Sequence, residues 1–182
     1  YYAELGHAIP TDLPYEVEER ARQGVESAIK ALGVNFGSVN MDMLITAQGK
    51  VHIVDIGARM GGNMIGPCVI PYGPGVDYVA NMSRNAAGDG IDLTPSNKSA
   101  VATRLLAFNK VMVKRLPNFE KLEKEYGVEI YHHLTVGQTV REYHTNLDGL
   151  GYIVARADDV ETAIENAERV LGIIAKTIFA ID

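Results

Sequence analysis

The stretch Asn40–Asn63, NMDMLITAQGKVHIVDIGARMGGN, decides how this chain is read. Two β-rich runs, Val39–Thr46 and Val51–Gly57, flank a turn carrying Gly49, which predicts a hairpin. With Gln48-Gly49 as a two-residue turn, Ala47 pairs with Lys50, Met43 with Val54 and Asp42 with Asp55. Val39, Met41, Met43 and Ile45 then point one way and meet Val54 and Ile56, an apolar face suited to a core. Asn40 and Asp42 point the other way, opposite Gly57 and Asp55, and Arg59 keeps that parity if the extended backbone continues.

Two aspartates directly opposite on a sheet face are unfavourable without a partner. Like charges about 4 Å apart repel by roughly 1 kcal/mol in water and about 4 kcal/mol at an effective dielectric of 20. A divalent cation removes that penalty. Mg²⁺ takes carboxylate oxygens at about 2.0–2.1 Å and keeps waters and substrate phosphates as its remaining ligands. Arg59 would present a planar fork suited to a phosphate or carboxylate. Gly61-Gly62 would let backbone approach that anion closely. The alternative is a solvated pair with Arg59 as its counter-ion, and spacing alone leaves both readings open.

At 182 residues the chain is long enough for one good core or two small ones. Its 47% hydrophobic and 22% charged content is that of an ordinary globular protein. No apolar run reaches a membrane span, and a net charge of −6 with pI near 5.4 argues against nucleic acid as main partner. The single cysteine, Cys68, rules out an internal disulfide and reads as a core residue of the apolar run Ile65–Ile70. Tyr1–Leu5 has no initiator Met and no signal-peptide pattern, and reads like the middle of a strand. The expectation is a piece of a longer protein.

After that strand, residues 6–13 form a connector, and Thr11 or Asp12 caps a helix from Pro14 to Leu32 that Gly33 stops. Beyond the hairpin, Ile65–Tyr72 reads as a buried helical turn and Val76–Ala87 as a second helix. The polar run 89–98 (DGIDLTPSNK) marks a boundary between subdomains. Strands follow at 99–108, 111–113, 128–134, 139–143 and 151–155, with a short charged helix at 119–126. Asp158 or Asp159 caps a last helix, Val160–Phe179, whose buried stripe is Val160, Ala163, Ile164, Ala167, Leu171, Ile174 and Ile178.

His132 and His133 are neighbours in a strand and cannot share a metal. His7 follows Glu4 by three residues, where a strand gives way to a turn, a usual place for functional side chains. The chain has no phosphate loop of the GxxxxGK[ST] type, no GxGxxG and no GxSxG elbow.

The run Glu4–Pro10, the helix to Leu32-Gly33 and Phe36–Asn63 resemble the C-terminal lobe of ATP-grasp enzymes, most of all carboxylate–amine ligases typified by L-amino-acid ligases. Relatives of that superfamily include biotin carboxylase, carbamoyl-phosphate synthase and phosphoribosylamine–glycine ligase. The segment Gly151–Ile174 resembles the small C-terminal domain that follows the grasp. The resemblance implies an α+β fold: an antiparallel sheet with helices on one face over 1–97, then a small α/β subdomain over 98–182. It implies an ATP-dependent carboxylate–amine ligase working through an acyl phosphate, with Mg²⁺ (or Mn²⁺) held by Asp42 and Asp55. Arg59 would be catalytic, steadying the acyl phosphate, and Glu4, His7, Arg59, Gly61, Gly62 and Asn63 would bind substrate. The implied partners are ATP, a small carboxylate, an amine and the N-terminal lobes of the same protein, in the cytoplasm; a homodimer is left open. The piece alone would bind ATP weakly and turn nothing over. One departure is Gly57, where many members carry Asn as a further metal ligand. A carbamoyl-phosphate-synthase-like or phosphoribosylamine–glycine-ligase-like enzyme, or a degenerate non-catalytic module, stays as an alternative.

Overall fold

In the computed structural model the description covers residues 4–179; Tyr1–Ala3, with most of the strand expected at Tyr1–Leu5, and Ala180–Asp182 lie outside it. In chain order the elements are β1 (Ala8–Ile9), α1 (Tyr15–Ala31), β2 (Asn40–Ile45), β3 (Val51–Gly57), α2 (Ile70–Tyr72), α3 (Tyr78–Ala87), β4 (Ala100–Leu105), β5 (Val111–Met112), α4 (Phe119–Tyr126), β6 (Val128–His132), β7 (Thr139–Val140), β8 (Gly151–Ala157) and α5 (Val160–Phe179). A wide helical turn, Ile65–Val69, leads into α2, and a 3₁₀ turn covers Asn146–Asp148. The chain forms two compact units that interleave along the sequence. One comprises the residues up to Pro10, Asn63–Val76 and everything from Thr94; the other comprises Thr11–Gly62 and Asp77–Leu93.

The larger unit is built on an antiparallel sheet in the order β1-β4-β8-β6. Strand period sends alternate side chains of β8 to opposite faces. Ile153 and Ala155 enter a core with Ala167, Val170, Ile174 and Ile178 of α5 and Leu122 and Val128 of α4 and β6. Val154 goes the other way, to Val101, Cys68 and Val69. Both faces of β8 are therefore covered. The α5 stripe follows the expected spacing, with Val170 added, and Asp159 caps the helix by accepting from Thr162 N at 2.7 Å.

The expected connector after Leu5 begins instead as an edge strand. Leu5 and His7 carbonyls accept from Leu105 and Thr103 amides at 2.8 Å, and Ala8 and Ile9 pair with Ala102 and Val101. Glycine is required at residue 6, because a Cβ there would lie 2.0 Å from the Thr103 carbonyl oxygen. On the sheet face opposite α5, Glu129 Oε2 accepts from Tyr72 at 2.9 Å and from Tyr131 at 2.6 Å, and Glu129 Oε1 accepts from Arg156 at 3.1 Å. The Arg156 guanidinium lies 4.5 Å from the Tyr72 ring centroid. This network ties the 65–72 segment to the sheet. Burial pushes the Cys68 thiol up, which suits an inert core residue.

In the smaller unit, α1 starts after Pro14, whose φ of −57° and ψ of 141° set the chain entry without a side-chain cap. The capping expected from Thr11 or Asp12 is not formed; the Thr11 hydroxyl donates to Glu18 Oε1 at 2.7 Å. The second helix starts at Tyr78 rather than Val76, because Asp77 caps it by accepting from Ala80 N at 3.0 Å. Gly88 ends it at a φ of 81°.

Prediction and structure differ in the hairpin turn. Thr46 N donates to Lys50 O at 2.9 Å and Gly49 N to Thr46 O at 2.8 Å, so the loop is Ala47-Gln48-Gly49 with Gly49 left-handed at 72°. Lys50 thus faces Thr46, not Ala47, and Met43 pairs with Ile53, not Val54. A bulge between Asp42 and Met43 then absorbs one residue, and Asp42 pairs with Asp55 as expected. Val54 is the extra residue. It is 60% exposed instead of joining the apolar face.

Replacing Ile153 with Ala, at a fully buried position of β8, should lower unfolding free energy by about 2–5 kcal/mol in a urea titration. Leu147→Ala, at a side chain 95% exposed, should leave it within about 0.5 kcal/mol. Asp148 Oδ2 accepts from the backbone amides of Thr145 and His144 at 3.0 and 3.1 Å and from the Thr145 hydroxyl at 3.2 Å. These donors, the Thr145 amide foremost, hold its carboxyl below the usual range. A carboxylate with a lowered folded pKa stabilises above its unfolded value, near about 3.9, and loses that contribution as pH falls through the folded pKa. The Thr145 and His144 amide resonances should therefore stay constant from about pH 5 upward and move only below about pH 4. In Asp148→Asn that acid transition should be absent.

Candidate functional site

The candidate residues fall into two groups, one in each compact unit. In the smaller unit Asp42 and Asp55 are a direct cross-strand pair, and both are exposed. Asn40 Nδ2 donates to Asp42 Oδ1 at 3.2 Å. Among the described residues neither aspartate forms an ion pair. Arg59 does not act as their counter-ion. Its Nη1 donates to Met60 O at 3.0 Å and its amide to Gly57 O at 2.8 Å.

Gly57 gives Arg59 its place. Gly57 pairs with Asn40 and shares strand parity with Asp55, so a side chain there would rise on the acidic face. A Cβ at Gly57 would meet Arg59 Cγ at 3.3 Å and Nε at 3.4 Å. The stem of Arg59 thus occupies the space above Gly57, on the same face as the two carboxylates. A larger residue at 57 would push it aside. Gly61 is half-buried, and open space surrounds Gly62.

This donor set fits a hard divalent ion in number and kind. Two carboxylates side by side lack cationic compensation, as oxygen ligands of Mg²⁺ would. No cluster of three or more His, Cys, Asp or Glu able to hold a metal exists among the described residues, and this face offers two carboxylates. A Mg²⁺ site that takes one or two carboxylates and completes itself with phosphates and water asks for no more.

The second group lies on the larger unit. Asn63 Nδ2 donates to Glu4 Oε2 at 2.9 Å, and Tyr152 donates to Asn63 Oδ1 at 2.9 Å. His7 Nε2 stands 3.9 Å from Glu4 Oε2 and is buried without a hydrogen-bond partner among the described residues. The His7 amide donates to Thr103 Oγ1 at 3.0 Å, which fixes its backbone on β4. Tyr143 donates to Asn146 Oδ1 at 2.7 Å and to the Glu4 carbonyl at 3.3 Å. Asn63 and Met64 both have positive φ, 49° and 66°, a conformation that costs energy in non-glycine residues and needs its surroundings to hold it.

The structure thus brings together Asp42, Asp55 and the stem of Arg59, and separately Glu4, His7 and Asn63. Sequence reasoning missed Tyr152 and Tyr143. Strand parity could have placed Tyr152 on the face away from α5, but nothing local announces a partner 89 residues earlier.

The family model for the L-amino acid ligase C-terminal domain 2 matches residues 105–176. The chain has the fold of an L-amino acid ligase from Bacillus licheniformis, with a TM-score of 0.81, 16% identity, and 96% of this chain against 45% of that one. A phosphoribosylglycinamide synthetase from Anaerococcus prevotii gives a TM-score of 0.75 at 19% identity, over 98% of this chain and 45% of that one. A biotin carboxylase from Campylobacter jejuni gives 0.64 at 17% identity, over 89% of this chain and 36% of that one. An uncharacterized protein of Sinorhizobium fredii is 24% identical over 163 residues, 87% of this chain. The chain spans 34% of that relative's length and less than half of these structures. Among the described residues no helix is long and apolar enough to cross a membrane. Residues 105–176 thus match the L-amino acid ligase C-terminal domain model, and the chain shares its fold with part of these ligase, synthetase and carboxylase structures.

Proposed function

We propose that the protein carrying this chain is an ATP-dependent carboxylate–amine ligase that activates its carboxylate as an acyl phosphate and requires Mg²⁺ (or Mn²⁺). The observation that carries the reading is the uncompensated pair Asp42–Asp55, with the Arg59 stem on the same face. An acid oxygen attacks the γ-phosphorus of ATP, the bond to ADP breaks, and the amine nitrogen then displaces phosphate from the acyl carbon. When bound, the metal would supply Lewis-acid stabilisation of phosphoryl oxygens. Asp42 and Asp55 would be its protein ligands.

The residues of the chain bind and orient. Arg59 uses one guanidinium nitrogen on Met60 O and has further N–H donors for a phosphoryl group, a bidentate match for its oxygens. Charge spread over a transferring phosphoryl group is the kind of charge that fixed donors stabilise, and such electrostatics are commonly the largest catalytic contribution. Gly61 and Gly62 present backbone free of side chains. Glu4 and Asn63 offer an acceptor and an amide to substrate, with His7 Nε2 beside them.

In the full-length protein, Asp55→Asn should lower turnover on the order of a hundredfold or more. Its melting temperature should not fall, because one of two repelling carboxylates has gone. Phosphate release against a panel of acids and amines measures the first and calorimetry the second; an active Asp55→Asn overturns the reading. For the 182-residue chain alone, titration with MgATP should give binding weaker than micromolar and no turnover.

A further inference from the structure

Tyr152 sits on β8, bonded into the centre of the sheet between Leu105 of β4 and Tyr131 of β6. Its backbone is thus fixed from both sides, and its side chain leaves the sheet on the face away from α5, since its neighbour Ile153 enters that core. Burial holds its hydroxyl above the ordinary tyrosine pKa, so it remains a proton donor throughout the neutral range. It donates to Asn63 Oδ1 at 2.9 Å, and Asn63 passes the order on by donating from Nδ2 to Glu4 Oε2 at 2.9 Å.

A carboxylate only accepts, and a tyrosine hydroxyl can donate, so the two ends of the Asn63 amide have one arrangement that satisfies both partners. The Asn63 backbone is left-handed at 49° and is followed by Met64 at 66°. Two successive strained residues persist only where contacts over-determine them. The Tyr152 hydroxyl, mounted on the central strand, is such a contact. With Glu4 Oε2 engaged by Asn63, Glu4 Oε1 makes no hydrogen bond to a described residue, on a side chain 52% exposed.

We propose that Tyr152 is a positioning residue: its hydroxyl locks the Asn63 amide, and through it presents the Glu4 carboxylate in one orientation to the substrate. The inference rests on the ligase reading, since the substrate role of Glu4 comes from there. Tyr152 touches no reacting atom; it acts through Asn63.

The test is Tyr152→Phe in the full-length protein, which keeps the ring and removes the one donor. The KM for the carboxylate or the amine should rise about tenfold, the equivalent of 1.4 kcal/mol, with kcat and the KM for MgATP within about twofold. On an Asn63→Ala background the same change should add nothing, because its route to Glu4 has gone. In ¹⁵N-asparagine-labelled protein the Asn63 side-chain NH₂ pair should be protected from exchange in the wild type and lose protection in Tyr152→Phe. Unchanged KM values in an active enzyme, additive effects of the two substitutions, or an unprotected Asn63 amide in the wild type would each overturn the positioning role. A wild-type protein that joins no acid to any amine sinks the ligase reading itself, and the substrate role of Tyr152 with it, so the two failures are told apart.

Discussion

Strand β8 is the constraint on which the larger unit depends. It is hydrogen-bonded on both sides and covered on both faces, so each of its residues has a fixed duty. Ile153 and Ala155 hold α5 to the sheet, while Tyr152, Val154 and Arg156 organise the opposite face. Two-sided burial leaves no room for a register slip, because a one-residue shift would exchange the two sets. The polar residues on the far face inherit that rigidity. Arg156 meets Glu129 and Tyr72, and Tyr152 meets Asn63, each from a backbone paired on the sheet.

The smaller unit solves a different problem. Its hairpin sets two carboxylates side by side, and among the described residues neither forms an ion pair. Such an arrangement opposes the stability of the ribbon unless a cation compensates it. The bulge at Val54 is part of that device. A three-residue turn alone would have shifted the pairing by one position and sent Asp42 and Asp55 out of register, and the extra residue restores it. Gly57 contributes by absence: the space above it holds the Arg59 stem.

Long periodic segments were legible from sequence because their signals are local. The α5 stripe, the Asp159 cap, the charged helix α4 and the hairpin all follow from spacing and capping chemistry between near neighbours. The errors fall where a local signal competes with a tertiary one. The Gln48-Gly49 turn looked like two residues, yet Lys50 turns back to Thr46 and the count becomes three. Residues after Leu5 looked like a connector because β1 is only two residues long and is held by β4, some ninety positions away. Capping at the start of α1 was misassigned because Pro14 sets the entry geometry by itself, and Thr11 found Glu18 instead.

The sequence by itself determined that a hairpin carries Asp42 and Asp55 on its two arms with Arg59 just beyond, but their direct pairing came about because the three-residue turn and the bulge at Val54 offset each other. Tertiary structure alone decided that Tyr152 would reach Asn63 and that Asn63 would reach Glu4. The physical reason is reach. Period and parity act over a few residues, whereas a hydrogen bond across 89 positions exists only once the sheet has been assembled and both backbones have been fixed by packing.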